Sequence, residues 1–323
     1  MSILVTGAAG FIGFHVARTL LDRGEWVIGI DNLNDYYDVS LKEARLAKLH
    51  EYRNFKFAKL DIADRDRIFD LVESHPDLRD VIHLAAQAGV RYSLQDPFCY
   101  IDANVMGTLV MLEAVRRVRG LRGMVYASSS SVYGANTKQP FSVDDPVDHP
   151  VSLYGATKRS CELIAESYSR LYGLPLTGLR FFTVYGPWGR PDMAAYLFTR
   201  AILAGEPIQV FNEGRMARDF TYIDDIVAGI AAAADRPGAI GEHRIYNLGN
   251  HRPEQLLDFI GVLERLLGRM AIKRLLPMQL GDVPASYADI ETARRDLGFE
   301  PQVTIETGLA AFVEWYRQYH GVT

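Results

Sequence analysis

A short apolar strand, Ile3-Leu4-Val5-Thr6, runs directly into glycines at three-residue spacing, Gly7, Gly10 and Gly13, and then into an apolar-faced helix around Val16, Ala17, Leu20 and Leu21. Few architectures use that order. Gly7 permits a tight turn, Gly10 lets the backbone approach a pyrophosphate, and Gly13 lets helix and sheet pack closely. Phe11 and Ile12 open the helix, whose first N–H groups have no partner within it and suit phosphates. A second strand, Trp26 to Ile30, ends in Asp31, where a carboxylate accepts hydrogen bonds from adenosine ribose hydroxyls and repels a 2′-phosphate. This favours NAD over NADP, while Asn32 beside it and the basic residues downstream keep the preference from being absolute. Asp61 follows the strand Asn54 to Leu60, and it admits two readings: with Ile62 it meets the adenine edge, or it caps a helix from Arg65 to Val72.

The pattern then continues as helix Arg65–Ser74, strand Val81-Ile-His-Leu84, a long helix from about Asn104 to Val118, and strand Gly123 to Ala127. Apolar strands separated by such helices predict an α/β fold, a Rossmann-type parallel sheet with helices on both faces. Strand ends carrying Gly7, Asp31, Asp61, Ala85 and Ser128 then fall along one carboxyl-terminal edge, where such sheets bind ligands. Beyond Leu179 the regularity changes. Residues 207–215 read as loop, helices are expected at Tyr196–Ala204 and Pro253–Leu267, and Asp224 and Asp225 are placed to cap a helix near Ile226. We therefore expect an NAD-binding domain over residues 1–180 with return segments near 220–250, and a smaller, interleaved α/β substrate region over 181–219 and 251–323.

At 323 residues the chain is long enough for a large core and two domains. Its 35 basic and 40 acidic side chains are intermixed at a net charge of −5, which gives no footprint for nucleic acid or an anionic membrane. No apolar run is expected to reach bilayer-spanning length, and the first strand begins too soon after Met1 for a signal peptide. Cys99 and Cys161 lack metal-ligand spacing, the eight histidines form no H-x-x-x-H pair, and no metal site is expected. Two cysteines fit a reducing cytosol, with Cys161 in a core.

Tyr154 and Lys158 stand one helical turn apart. A neighbouring ammonium favours tyrosinate, which would give the phenol use as a base near neutral pH. Ser128, Ser129, Ser130 and Ser131 follow a strand at the same sheet edge. One of these hydroxyls is expected to cap its own turn, and one to hold the substrate oxygen whose proton Tyr154 removes. Together the pieces describe a hydride-transfer centre, with Lys158 steadying the tyrosinate and the nicotinamide ribose.

These motifs, with Leu84-Ala85-Ala86, Arg180 to Pro187, Arg218-Asp-Phe220 and Gly281-Asp282, closely resemble the extended short-chain dehydrogenase/reductase family over essentially the whole chain. Asp31 to Tyr37, Gln87 to Arg91 and Tyr185 to Met193 resemble its UDP-glucuronate 4-epimerases. That resemblance implies a tightly bound NAD that takes hydride from C4 of the sugar, a 4-keto intermediate that turns over in the site, and hydride return to the other face, giving UDP-galacturonate from UDP-glucuronate. It matches Ser129 to the catalytic hydroxyl, with Ser130 and Ser131 assisting. Arg190, Arg218 and Asp282 would hold the UDP, Gln209 and Phe211 would lie near the uridine, and Thr183, Ser130 and Arg91 are candidates for the uronate carboxylate. Arg91 has a second reading, as an organiser of the substrate loop or the cofactor phosphates.

A UDP-glucuronate decarboxylase resembles the cofactor half, but that family usually carries an acidic residue before Val-Tyr-Gly, where this chain has Ser130 and Ser131. Sugar 4,6-dehydratases need carboxylates that two hydroxyls do not replace. A neutral UDP-hexose 4-epimerase leaves the uronate-like motifs without a purpose, and a nonenzymatic binding protein is disfavoured by the retained Tyr154, Lys158 and glycines. By the same resemblance, the helices at Leu109–Val118 and around Tyr154 would pair in a homodimer.

Overall fold

The computed structural model describes residues 1–279 and 281–322. Strands β1 (Ser2–Thr6), β2 (Trp26–Asp31), β3 (Phe55–Lys59), β4 (Leu78–His83), β5 (Gly123–Ser129) and β6 (Leu176–Phe181) alternate with helices α1 (Phe11–Asp22), α2 (Val39–Leu49), α3 (Arg65–Glu73), α4 (Pro97–Tyr100), α5 (Gly107–Val115) and α6 (Leu153–Tyr172). Strand residues alternate between two cores on opposite faces, with Ile3 and Val5 in one and Leu4 in the other.

The second half contributes β7 (Thr183–Tyr185), α7 (Ala194–Ala204), β8 (Pro207–Val210), β9 (Ala217–Arg218), β10 (Phe220–Tyr222), α8 (Ile223–Asp235), β11 (His243–Leu248), β12 (Glu254–Gln255), α9 (Leu256–Leu267), β13 (Ile272–Leu275), β14 (Ala285–Ser286), α10 (Glu291–Leu297) and α11 (Ile305–His320). Strand β11 returns to the main sheet, whose order is β11-β6-β5-β4-β1-β2-β3 with every pair parallel. The order reverses between β1 and β4, which opens a crevice at the carboxyl ends of the strands. The rest of the second half forms sheets of two or three short strands.

Several sequence expectations change. The long helix begins at Pro97, not Asn104, because Asp96 caps it by accepting from the Cys99 N–H, and it passes through a π-helical turn at Ile101–Met106. The combined Pro97–Val115 helix is long and apolar enough to cross a membrane, against expectation, yet half of that stretch is packed inside the protein. Residues 207–210 are strand, not loop. Ile208 and Val210 are buried while Gln209 is exposed, and the partner strand β13 lies some sixty residues away, beyond any local signal. Pro207 is tolerated because it is the first residue of its strand. The helix expected from Pro253 starts at Leu256, since Glu254 and Gln255 pair with β9. Helix α8 starts at Ile223, so Asp224 and Asp225 occupy its first turn, where acidic groups suit the dipole, and do not cap it. The Asp225 carboxylate instead accepts from the N–H groups of Gln302 and Val303.

Candidate active site

The glycine turn is sterically closed to other residues. Gly7 has φ of +72°, and a Cβ there would lie 2.9 Å from the Ala85 nitrogen, while one on Gly13 would lie 2.0 Å from the Gly7 carbonyl oxygen. Helix α1 therefore starts hard against the turn. Buried Asp31 accepts from the N–H of Ala9 (3.2 Å) through one oxygen and of Leu33 (2.9 Å) through the other, which fixes the carboxylate at the lip of the turn with lone pairs to spare for ribose hydroxyls. Asp61 accepts from the side chain of Asn32 (2.9 Å) and from Ala63 N–H, and the α3 cap is Asp64. Gly7, Gly10, Phe11, Ile12, Gly13, Asp31, Asn32, Asp61, Ile62 and Leu84 to Ala86 line one cleft with Ser129, Tyr154 and Lys158.

Ser152 caps α6 by accepting from Gly155 N–H (3.1 Å), so Tyr154 and Lys158 fall in the first two turns with the spacing of one. The buried Lys158 ammonium donates to the Ala127 carbonyl at 2.9 Å, and the Tyr154 ring stands edge-on to Tyr100 at 6.0 Å. Strand β5 continues through Ser129, whose hydroxyl accepts from Ser131 N–H at 3.1 Å. That is the self-capping expected of one serine, and it leaves the Ser129 proton available to a substrate oxygen. Ser128 is committed elsewhere, donating to Glu162 at 2.6 Å. Ser130 and Ser131 occupy a 3-10 turn outside the residues that line the cleft.

Two groups behind this edge escaped sequence reasoning. Buried Glu162 receives Arg180 through both carboxylate oxygens at 2.9 and 3.0 Å; burial opposes its charge, but Arg180 holds its carboxyl below the usual range. Arg180 also donates to the Tyr133 hydroxyl, which donates to Asn247 (2.6 Å). An inward stripe of Lys158, Glu162, Ala165 and Ser169 on α6 was the available signal, because a carboxylate there needs a buried cation. Asn104, in the π-helical turn, exchanges hydrogen bonds with the Gln87 backbone (2.9 and 3.0 Å) and donates to Thr157, whose hydroxyl reaches the Tyr154 carbonyl. It thereby ties the loop after Ala86 to the helix of Tyr154. A lone Asn in an apolar helix was its only mark.

A second cluster lies beyond the cleft lining. The Arg91 guanidinium sits over the Phe211 ring at 4.7 Å and reaches Asp282 at 3.4 Å, and Arg218 approaches the same carboxylate at 3.7 Å. Gln209 is exposed on β8, and half-buried Phe211 follows that strand at the start of a 3-10 turn. Thr183, half-buried on β7, donates its N–H to the Asp219 carbonyl (3.0 Å). The Asp219 carboxylate gathers Asn250, His251 and Ala288 N–H groups and the Thr221 hydroxyl, which holds three chain segments around Arg218. Arg190 lines the cleft of Asp31 and Tyr154 and pairs with Asp192.

Residues 3–249 match the model of the NAD dependent epimerase/dehydratase family. The chain belongs to that family. This family member is 48% identical over 336 residues to Protein CapI of Staphylococcus aureus, across 99% of both chains. It is 49% identical over 337 residues to UDP-glucuronate 4-epimerase 4 of Arabidopsis thaliana, across 99% of this chain and 76% of that one. Among solved structures it is similar to the UDP-glucuronic acid 4-epimerase from Bacillus cereus in complex with UDP-glucuronic acid and NAD, with a TM-score of 0.92 and 37% identity over 99% of this chain and 100% of that one. The cofactor of this epimerase-family protein is NAD. The glycine turn that admits no Cβ and the carboxylate of Asp31 are a cradle that fits it.

Proposed function

We propose that the protein is a UDP-glucuronate 4-epimerase that interconverts UDP-glucuronate and UDP-galacturonate. The observation that carries the reading is the convergence of Tyr154, Lys158 and Ser129 on the cleft that holds Asp31 and the glycine turn, with serines and no carboxylate at positions 130 and 131. NAD, when bound, supplies a hydride acceptor at C4 that later gives the hydride back. Tyr154 takes the O4 proton as the carbonyl forms and returns it as the carbonyl is reduced. Lys158, fixed on the Ala127 carbonyl, keeps positive charge beside the phenolate, and Ser129 donates to the sugar O4. The 4-keto sugar is a β-keto acid, so the site must keep its C5–carboxylate bond out of line with the carbonyl π system. Ser130, Thr183 and Arg91 remain our candidates for the carboxylate.

Arg218 and Asp282, with Phe211, Gln209 and Arg91, are assigned to the UDP end; Arg guanidinium suits a diphosphate. We assign residues 1–180 with returning segments near 220–250 to NAD, and 181–219 with 251–323 to the nucleotide sugar. A homodimer is proposed across the Leu109–Val118 helix and α6; exposed Leu163 and Leu171 on α6 support it, and on the other helix the exposed apolar residues, Phe98 and Ile101, precede the expected stretch. Two unpaired cysteines support a cytosolic location.

An NMR time course of the purified protein with UDP-glucuronate tests the proposal. Formation of UDP-galacturonate without added NADH is expected. A UDP-pentose product would make the protein a decarboxylase instead.

A further inference from the structure

We infer that Tyr36 and Asp192 are positioning residues that set Arg190 for an anionic group of the bound ligands, an inference that rests on the function proposed above. Arg190 donates to Asp192 from Nε (2.9 Å) and from Nη2 (2.5 Å), and the Tyr36 hydroxyl donates to the same carboxylate at 3.0 Å. Asp192 thus engages one edge of the guanidinium and leaves Nη1 as the corner it does not occupy. An arginine held by one edge keeps its orientation while retaining donors for a second anion. Burial, with Asp192 second, pushes the Tyr36 hydroxyl up to about 12, so it remains a donor through the neutral range.

Both ends of the segment from Trp188 to Asp192 are fastened to the cofactor side. Trp188 has a positive φ of +62°, and its carbonyl accepts from Arg45 Nη2 at 2.6 Å. Fully buried Arg45 also donates to the carbonyl of Ala9 in the glycine turn and to the Tyr37 hydroxyl, each at 2.8 Å. Tyr36 holds the other end through Asp192, and lies only five residues after Asp31. Gly89 completes the packing: at φ of +107°, a Cβ there would lie 3.0 Å from the Tyr36 hydroxyl and 3.8 Å from Arg190 Nη2. The loop that follows Asp31 and the loop that carries Arg190 are therefore one braced unit. Its arginine faces the same cleft as Tyr154. The chemistry it can take is a carboxylate or phosphate oxygen, from the uronate, the UDP or the dinucleotide.

The test uses full-length Tyr36→Phe, with Asp192→Asn as the second variant, both carrying bound cofactor. Calorimetric titration with UDP-glucuronate, UDP-glucose and UDP is combined with NAD released on denaturation and with kcat and KM. Loss of one hydrogen bond to a charged group predicts roughly tenfold weaker binding of the ligand that Arg190 serves, with KM rising more than kcat falls. A loss larger for UDP-glucuronate than for UDP-glucose identifies the uronate carboxylate, an equal loss for all three identifies the diphosphate, and depleted NAD identifies the cofactor pyrophosphate. If both variants keep every ligand within about twofold of wild type and only melt earlier, Arg190 is a structural brace and the inference is overturned. Binding and NAD content are read without turnover, so a chain that binds UDP-glucuronate but forms another product defeats the proposed reaction and not this inference.

Discussion

The cofactor edge and the nucleotide end are built in different ways. At the first, Gly7, Asp31 and Ser129 stand at or just beyond the carboxyl ends of strands in one continuous parallel sheet, and Tyr154 and Lys158 lie on a twenty-residue helix packed against it. At the second, Arg91, Phe211, Arg218 and Asp282 come from four separated stretches held by strands of two to four residues and by the buried Asp219 carboxylate. On the function proposed above, chemistry that depends on sub-ångström placement would sit on the continuous sheet, and recognition of a flexible nucleotide on the assembled half. Damage to the first should remove turnover while sparing binding, and damage to the second should do the reverse.

The largest effect is expected from Tyr154→Phe, which removes the proton-carrying oxygen and keeps the ring against Tyr100. Turnover should fall by on the order of 10³-fold, the scale of a lost general acid/base. Calorimetry should find UDP-glucuronate binding retained. Comparable loss of binding would erase the separation between the two ends.

Next in size is Glu162→Gln. The Glu162–Arg180 pair is almost wholly buried and reaches through Tyr133 and Asn247 to the carbonyls of Phe141 and Asp289, so it joins the sheet edge to the later segments. Removing the carboxylate leaves a buried guanidinium unpaired, at a cost of about 3 kcal/mol or more. Chemical denaturation should show that loss. A change under about 1 kcal/mol would mean that the two regions are not held together there.

The same contrast decides what the sequence revealed. The glycine turn, Asp31 and the Tyr154/Lys158 pair are local patterns, in which spacing along the chain is spacing in the fold, and all of them fall on one cleft. Strand β8 was hidden because its partner is remote, and Glu162 and Asn104 were hidden because a buried polar residue has no meaning until its partner is known. The bracing of Arg190 was hidden for the same reason, since Arg45 pins its loop to the glycine turn through a contact between residues 143 positions apart. The cap of the long helix, Asp96, is local and was legible; the expectation instead began that helix at Asn104, a polar residue inside it.

Acid should separate the regions by sign. Burial pushes His83, with the charge of Lys158 second, down to about 3, and burial likewise takes His15 to about 3. The unfolded chain protonates these rings near 6.5 while the folded one does not, so their stabilisation is present above that pH and is lost as pH falls toward 3. By pH 5 each costs about 2 kcal/mol. Asp219 runs the other way. Burial outweighs its four donors and raises its carboxyl from 3.8 to about 6, so its contribution is full below 3.8 and is lost as pH rises through 6. Hydrogen exchange corrected for chemical rates, between pH 7 and 5, should show protection falling in β1, β4 and α1 while that of residues 249–251 and 286–288 holds or rises. Uniform loss would make the molecule one cooperative unit.

The smallest effect is expected at Arg91, and it bears most directly on where one region ends. Its side chain is half-exposed, so the contact with Asp282 contributes little by itself, and the planar stack on Phe211 is the part a lysine cannot reproduce. Arg91→Lys keeps the charge and removes the stack, which predicts two- to fivefold weaker binding, or about 0.5–1 kcal/mol. Titrations with UDP and with UDP-glucuronate read different things. Equal weakening for both places Arg91 at the nucleotide end with Arg218 and Asp282. Weakening for the uronate alone makes Arg91 a carboxylate contact, and the nucleotide end then extends along the loop from Ala86 to within reach of the oxygen that Tyr154 serves.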